Sequence, residues 1–229
     1  MFIINADDYG ISERVNNAII HCFNHGLIHS TTLMANMPGT EHAIKNNNNF
    51  NIGCHLNLME GKPLNSNCLN YHELCNHNDN SLFLNINRNS VFIKKHLKDQ
   101  IFRELELQIV SLLDNNITLT HLDSHQHTHT IPAIYMIVHK LSEKYNLKVR
   151  LPRTTGSKNI LKILYKKSLT SYMKINKKNF TDYFINYDEM NLFKNSNKLF
   201  EVMVHPDIKN DNIIFCNTTN LIIDKVTIK

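Results

Sequence analysis

The sequence predicts an α/β protein: a distorted (β/α) barrel of parallel strands with its active site at the strand C-terminal ends. Three observations predict it. Short β-branched runs alternate with stretches of helical period, as in βα units joined by right-handed crossovers. Metal-capable or titratable groups stand at the ends of several of those runs: Asp7 and Asp8, His55, the histidines of residues 121–129, and His205. No repeat, linker or composition break divides the 229 residues, so 1–229 reads as one domain, atypical from about 213 onward. A doubly wound open sheet is the alternative architecture.

Residues 2–6 form a short apolar run and read as a buried strand ending at Asp7-Asp8-Tyr9-Gly10. Two carboxylates at a core boundary cost free energy unless paired or bound to metal; a simple turn is the competing reading. Ser12 is placed to cap a helix whose Val15, Ala18, Ile19, Cys22 and Phe23 share a face, with Gly26 stopping it. Residues 30–37 read as a second strand closed by Pro38-Gly39, after which Thr40 caps a short helix to about Lys45. The asparagine run 46–49 reads as a surface loop. Residues 51–58 read as a third strand with His55 in its second half. Residues 65–95 lack a period and read as a loop or lid with short helical pieces.

Helical period returns from 97 to 114, with Phe102, Leu105, Ile109, Leu112 and Leu113 on one stripe. The strand 117–123 follows and runs into His121, Asp123, His125, His127 and His129. All five fall on odd positions, which an extended backbone points to one face. Pro132 opens a helix reaching about Tyr145. Residues 147–151 form a strand ended by Pro152, with Arg150 and Arg153 at its tip. Residues 159–175 read as a lysine-rich helix, 183–185 as a strand, and 199–204 as a strand ending at His205-Pro206-Asp207. The tail from 213 is β-branched and Asn-rich and takes no assigned place.

Composition narrows the function classes. Hydrophobic residues make up 42% and charged residues 20%, enough for a core in an ordinary soluble chain. No apolar run spans a bilayer and the N-terminus lacks a signal-peptide pattern, so the expectation is a cytoplasmic protein without membrane partners. The net charge of +5 gathers in 162–178 and near the C-terminus, with little aromatic interleaving; a solvated lysine face is expected rather than a nucleic-acid surface. Five scattered cysteines without a C-x-x-C pair argue against a disulfide framework or cysteine zinc site, and Cys22 and Cys54 read as core residues.

The candidate groups are Asp7, Asp8, His55, the cluster around His125, and His205. Two histidines and one carboxylate hold a divalent ion while leaving positions open for water and substrate. A further carboxylate can act as general base and a further histidine as general acid. This suits hydrolysis of an amide, an ester or a phosphate. Walker A, dinucleotide-glycine and G-x-S-x-G patterns are absent from the sequence.

Asn5-Ala6-Asp7-Asp8-Tyr9-Gly10, Ser30-Thr31-Thr32, Gly53-Cys54-His55-Leu56-Asn57-Leu58 with Gly61-Lys62-Pro63-Leu64, the block 121–129, Arg150-Leu151-Pro152-Arg153 and Val204-His205-Pro206 occur in this order. Together they resemble the YdjC-like carbohydrate deacetylases, over most of residues 1–207. The resemblance implies a distorted (β/α) barrel, a divalent ion (Mg2+ first, Zn2+ or another first-row ion second) and removal of an acetyl group from an N-acetylated, chito-oligosaccharide-like sugar. It implies Asp8, His55 and His125 as metal ligands, Asp7 as the base that activates water, and His205 as the acid for the departing amine. It places Arg150 and His127 on the substrate wall and His121 and Asp123 behind the ligands, and it implies a homodimer. Two departures stand out: Asp207 replaces the usual glycine after His-Pro, and 213–229 lack the family's charged, leucine-rich C-terminal helix. A metal-dependent phosphoesterase or amidohydrolase, and a sugar-binding protein that has lost turnover, are the alternatives.

Overall fold

In this computed structural model the described residues are 1–47, 50–156, 159–176, 178–208 and 214–223. Residues 48–49 of the asparagine run, and 213 and 224–229 of the tail, lie outside them. Strand β1 (Phe2–Tyr9) outlasts its apolar run because pairing resumes at Tyr9 after an irregularity at Asp7-Asp8. Asp8 takes φ 67° there, a left-handed conformation that Asp tolerates better than most residues. The bulge breaks the two-residue alternation, so both carboxylates meet one group of side chains.

Helix α1 (Glu13–Asn24) starts where the Ser12 side chain accepts the Val15 N–H, and Gly26 at φ 65° ends it. Strand β2 (Ser30–Leu33) is shorter than expected, because the Thr40 hydroxyl takes the Met34 carbonyl at 2.8 Å. Thr40 is therefore the first residue of α2 (Thr40–Lys45), not its cap; Gly39 holds the cap position. Strand β3 (Ile52–Leu56) follows. The expected loop carries a 3-10 turn (Ser66–Asn70) and a small hairpin of β4 (Cys75–Asn76) and β5 (Ser81–Leu82), anchored by buried Cys68, Leu74 and Leu82.

Helix α3 (Lys95–Asp114) buries Leu97, Ile101, Leu105, Ile109 and Leu112, while Leu113 turns outward. Its buried face also carries Glu104 and Gln108. Strand β6 (Leu119–Ser124) leads through a 3-10 turn (His125–Thr130) into α4 (Pro132–Lys144), with Pro132 in the first turn as its missing N–H allows. Only two residues pair in β7 (Lys148–Val149). Helix α5 (Ile160–Ile175) is capped by the Asn159 side chain and exposes Lys162 and Lys167. Strand β8 (Tyr183–Asn186), a 3-10 turn (Tyr187–Phe193) and β9 (Phe200–Val204) follow. The antiparallel pair β10 (Pro206–Ile208) and β11 (Ile214–Cys216) has no clear signal in the sequence.

Seven strands form one sheet in the order β7-β6-β3-β2-β1-β9-β8, each neighbouring pair parallel. The sheet curls into a distorted (β/α) barrel left open between its edge strands β7 and β8. Parallel strands bring their C-terminal ends to one rim, and that rim collects Asp7, Asp8, His55, His125, Arg150 and His205. All five cysteines are free and buried. Among the described residues no helix is long and apolar enough to cross a membrane.

Candidate metal and catalytic centre

The histidine run is where backbone and expectation part. Extended alternation lasts only to Ser124; then Gln126 (φ 51°) and His127 (φ 55°) adopt left-handed conformations and the imidazoles separate. His125 turns to Asp8. His127 lies edge-on to Phe184 and His129. His129 Nδ1 meets Ser124 Oγ at 2.6 Å. His121 packs over Gly53, where an added Cβ would sit 2.7 Å from its ring. Burial pushes His121 and His129 down to about 4 and holds His127 well below the usual imidazole range. These three rings are neutral.

His55 and His125 sit otherwise. Asp8 Oδ1 lies 3.2 Å from His55 Nε2 and 2.9 Å from His125 Nδ1. The far nitrogen of each ring meets a second carboxylate: His55 Nδ1 is 2.7 Å from Asp123 Oδ1, and His125 Nε2 is 2.6 Å from Glu60 Oε1. A neutral imidazole has one N–H and one lone pair, so it satisfies only one of two flanking carboxylates. A cation between the two rings and Asp8 would satisfy both carboxylates at each ring; without one, His55 takes an extra proton. Burial opposes it, yet the charge and hydrogen bond of Asp123 push His55 up to about 10. Asp8 is held well below the carboxylate range, hydrogen bonds to His125 and His55 overcoming the effect of burial.

The donor set also fits a divalent ion. One oxygen or nitrogen from each of Asp8, His55 and His125 lies within 4.8 Å of the others, and each imidazole is backed by a carboxylate, as metal-bound histidines usually are. Asp7, His55 and Asp123 also converge, but there the Arg150 guanidinium already supplies the positive charge.

Arg150 corrects an expectation. It was expected on the substrate wall; instead it is fully buried beneath Asp7 and exposes nothing to a sugar. Its Nη1 and Nη2 grip Asp7 at 2.6 and 2.7 Å, Nη1 also meets Asp123 Oδ2 at 2.8 Å, and Nε meets Glu201 Oε1 at 2.6 Å. Phe184 covers the guanidinium at 4.6 Å. Asn5 Nδ2 adds a 2.9 Å hydrogen bond to Asp7.

His205 follows β9, with Nε2 3.7 Å from Asp8 Oδ2. Burial opposes its protonation, but Cys216, Asp7 and Asp8 raise it above the usual imidazole range. Asp207 does not face it: Asp207 pairs with Arg14 at 2.8 Å. Two carboxylates of this cluster, Glu201 and Glu60, lie outside the sequence expectations. Glu201 had a readable signal, since one acid inside the apolar run Leu-Phe-Glu-Val-Met-Val needs a buried cation. Glu60 had none, because its partner lies far along the chain.

The chain matches the family described as YdjC-like protein over residues 1–225. It is 35% identical over 157 residues to a carbohydrate deacetylase of Clostridium beijerinckii, covering 67% of this chain and 61% of that one. It is 36% identical over 155 residues to a carbohydrate deacetylase of Geobacillus stearothermophilus, covering 66% and 60%. The chain thus spans about 60% of the length of these relatives. A solved structure from Enterococcus faecalis V583, described as a candidate cellobiose-phosphate cleavage protein, superposes with a TM-score of 0.68 at 20% identity, covering 91% of this chain and 82% of that one. At that identity the likeness shows the fold alone.

Proposed function

The chain belongs to the YdjC-like family, and from that premise we propose that it is a metal-dependent hydrolase removing the acetyl group from an N-acetylated sugar. The observation that carries the reading is the pair of imidazoles, His55 and His125, each caught between two carboxylates with Asp8 common to both. In this reading Asp8, His55 and His125 hold a divalent ion. Held there, such an ion would polarise the acetyl carbonyl and acidify water. Two imidazole nitrogens suit a first-row ion such as Zn2+ better than Mg2+, which prefers oxygen ligands.

The chain's own residues do the rest. Asp7 takes the proton from the attacking water. Arg150 and Asn5 hold that carboxylate by three hydrogen bonds and fix its direction. His205, protonated and next to Asp8, gives a proton to the departing amine nitrogen. His127, neutral and with Nδ1 unpartnered, belongs to the substrate wall. A binding protein without turnover loses one of its motives, since Asp207 is spent on Arg14.

The test is acetate release from N-acetylglucosamine oligomers. Release that stops with chelator, returns with Zn2+, and falls by roughly 10²–10⁴-fold in His205→Ala supports the assignment. Release from none of these sugars, alongside turnover of phosphate esters or cyclic amides, would replace it with the phosphoesterase or amidohydrolase reading.

A further inference from the structure

Helix α3 turns two polar side chains, Glu104 and Gln108, onto its buried face, where apolar residues are the norm. Burying an amide and a carboxyl is unfavourable unless their polar atoms are partnered, and here the partners lie on one loop. Gln108 Oε1 accepts the Asn57 N–H at 2.8 Å and Nε2 donates to the Asn57 carbonyl at 2.7 Å. Gln108 Nε2 also reaches Glu104 Oε1 at 2.8 Å, and Glu104 Oε2 accepts the Asn65 N–H at 2.7 Å. Both ends of loop 57–65 are thus pinned to the helix.

Within the loop, Asn57 Oδ1 accepts the N–H of Met59 at 2.9 Å and of Glu60 at 3.3 Å, while Nδ2 donates to the Glu60 carbonyl at 2.7 Å. The backbone of Glu60 is therefore fixed from both sides by one buried side chain. Glu60 itself is 42% exposed at the rim, with Oε1 2.6 Å from His125 Nε2.

We propose that Glu60 is a positioning residue for His125: by accepting the Nε2 hydrogen it leaves the Nδ1 lone pair facing Asp8, ready to ligate. Asp123 does the same for His55 through the opposite ring nitrogen. The two supports differ in setting. Asp123 is buried and shared with Arg150 and Thr32; the Glu60 carboxylate stands at the rim and, among the described residues, meets His125. The strut from α3 gives the rim carboxylate the fixed place that a loop would not otherwise supply. The inference rests on the reading that Asp8, His55 and His125 hold a divalent cation.

The test is Zn2+ affinity, measured on the full chain by competition with a chromophoric chelator, for wild type, Glu60→Ala and Glu60→Gln. Loss of a carboxylate that orients a metal-bound histidine typically weakens binding by roughly 10–100-fold. Glu60→Ala is expected in that range, and Glu60→Gln between it and wild type, since an amide oxygen still accepts the hydrogen without the charge. In the Zn2+-loaded protein, proton NMR should show a low-field His125 Nε2–H that Glu60→Ala abolishes. Binding by Glu60→Ala within twofold of wild type would overturn this inference while leaving the metal reading in place. Wild-type binding no tighter than that of Asp8→Asn would overturn both.

Discussion

Replacing Arg150 with Met separates a substrate contact from a buried charge clamp. The guanidinium makes four contacts of 2.6–2.8 Å to three carboxylates, Asp7, Asp123 and Glu201, all buried. Removing one partner of a buried ion pair costs about 3–5 kcal/mol. Here a single change strips the cation from three carboxylates, and their uptake of protons limits the loss. A fall of at least about 3 kcal/mol is expected, set against a total of roughly 5–15 kcal/mol for a typical domain. Unpaired buried carboxylates have raised pKa values, so the deficit appears above their unfolded values and shrinks as pH falls. Urea unfolding at pH 7 and pH 5 reads both effects. If Asp7 is the base proposed above, kcat is expected to fall as it loses its support, while KM moves little. A variant as stable as wild type, with only KM raised, would show Arg150 meeting the substrate and refute the clamp.

The remaining predictions concern single groups. Burial pushes the Glu201 carboxyl up to about 7, with Arg150 only partly offsetting it, so the native state holds a proton that the unfolded chain releases above about 4.5. Stability conferred through this group falls as pH rises across that window, and Glu201→Gln should flatten the fall in thermal melts. In chelator-treated protein His55 is pushed up to about 10 from an ordinary 6.5. Its contribution is full below 6.5 and lost towards 10, so Tm should drop over that range; His55→Gln should remove the drop, and Zn2+ affinity should rise with pH as ligands shed protons. Gly53→Ala drives a methyl to 2.7 Å from the pinned His121 ring, and overpacking of this kind costs about 1–3 kcal/mol. An unchanged denaturant midpoint would show that the ring yields freely.

What the sequence made legible were features with local causes. Ser12, Gly26 and Pro132 mark helix ends because caps and φ preferences act within a few residues. Strand ends carrying Asp8, His55 and His125 were visible because a parallel sheet sends every C-terminus to one rim. The histidine run past Ser124 was misread, since alternation of polar residues looks the same on a strand and on a turn with two left-handed residues. The resemblance put Arg150 on the substrate wall, but the direction of its side chain depends on three acids that come from β1, β6 and β9. Glu60 and the α3 strut are relations between distant segments, and a single chain of letters leaves no local trace of them.

One cation shared by Asp8, His55 and His125 is the central requirement of this chemistry. An anomalous difference map from a Zn2+-soaked crystal tests it most directly. It should show a peak bonded to Asp8 Oδ1, His55 Nε2 and His125 Nδ1 at roughly 2.0–2.2 Å. Zn2+ bound elsewhere, with those three side chains still bonded only to one another, would contradict it.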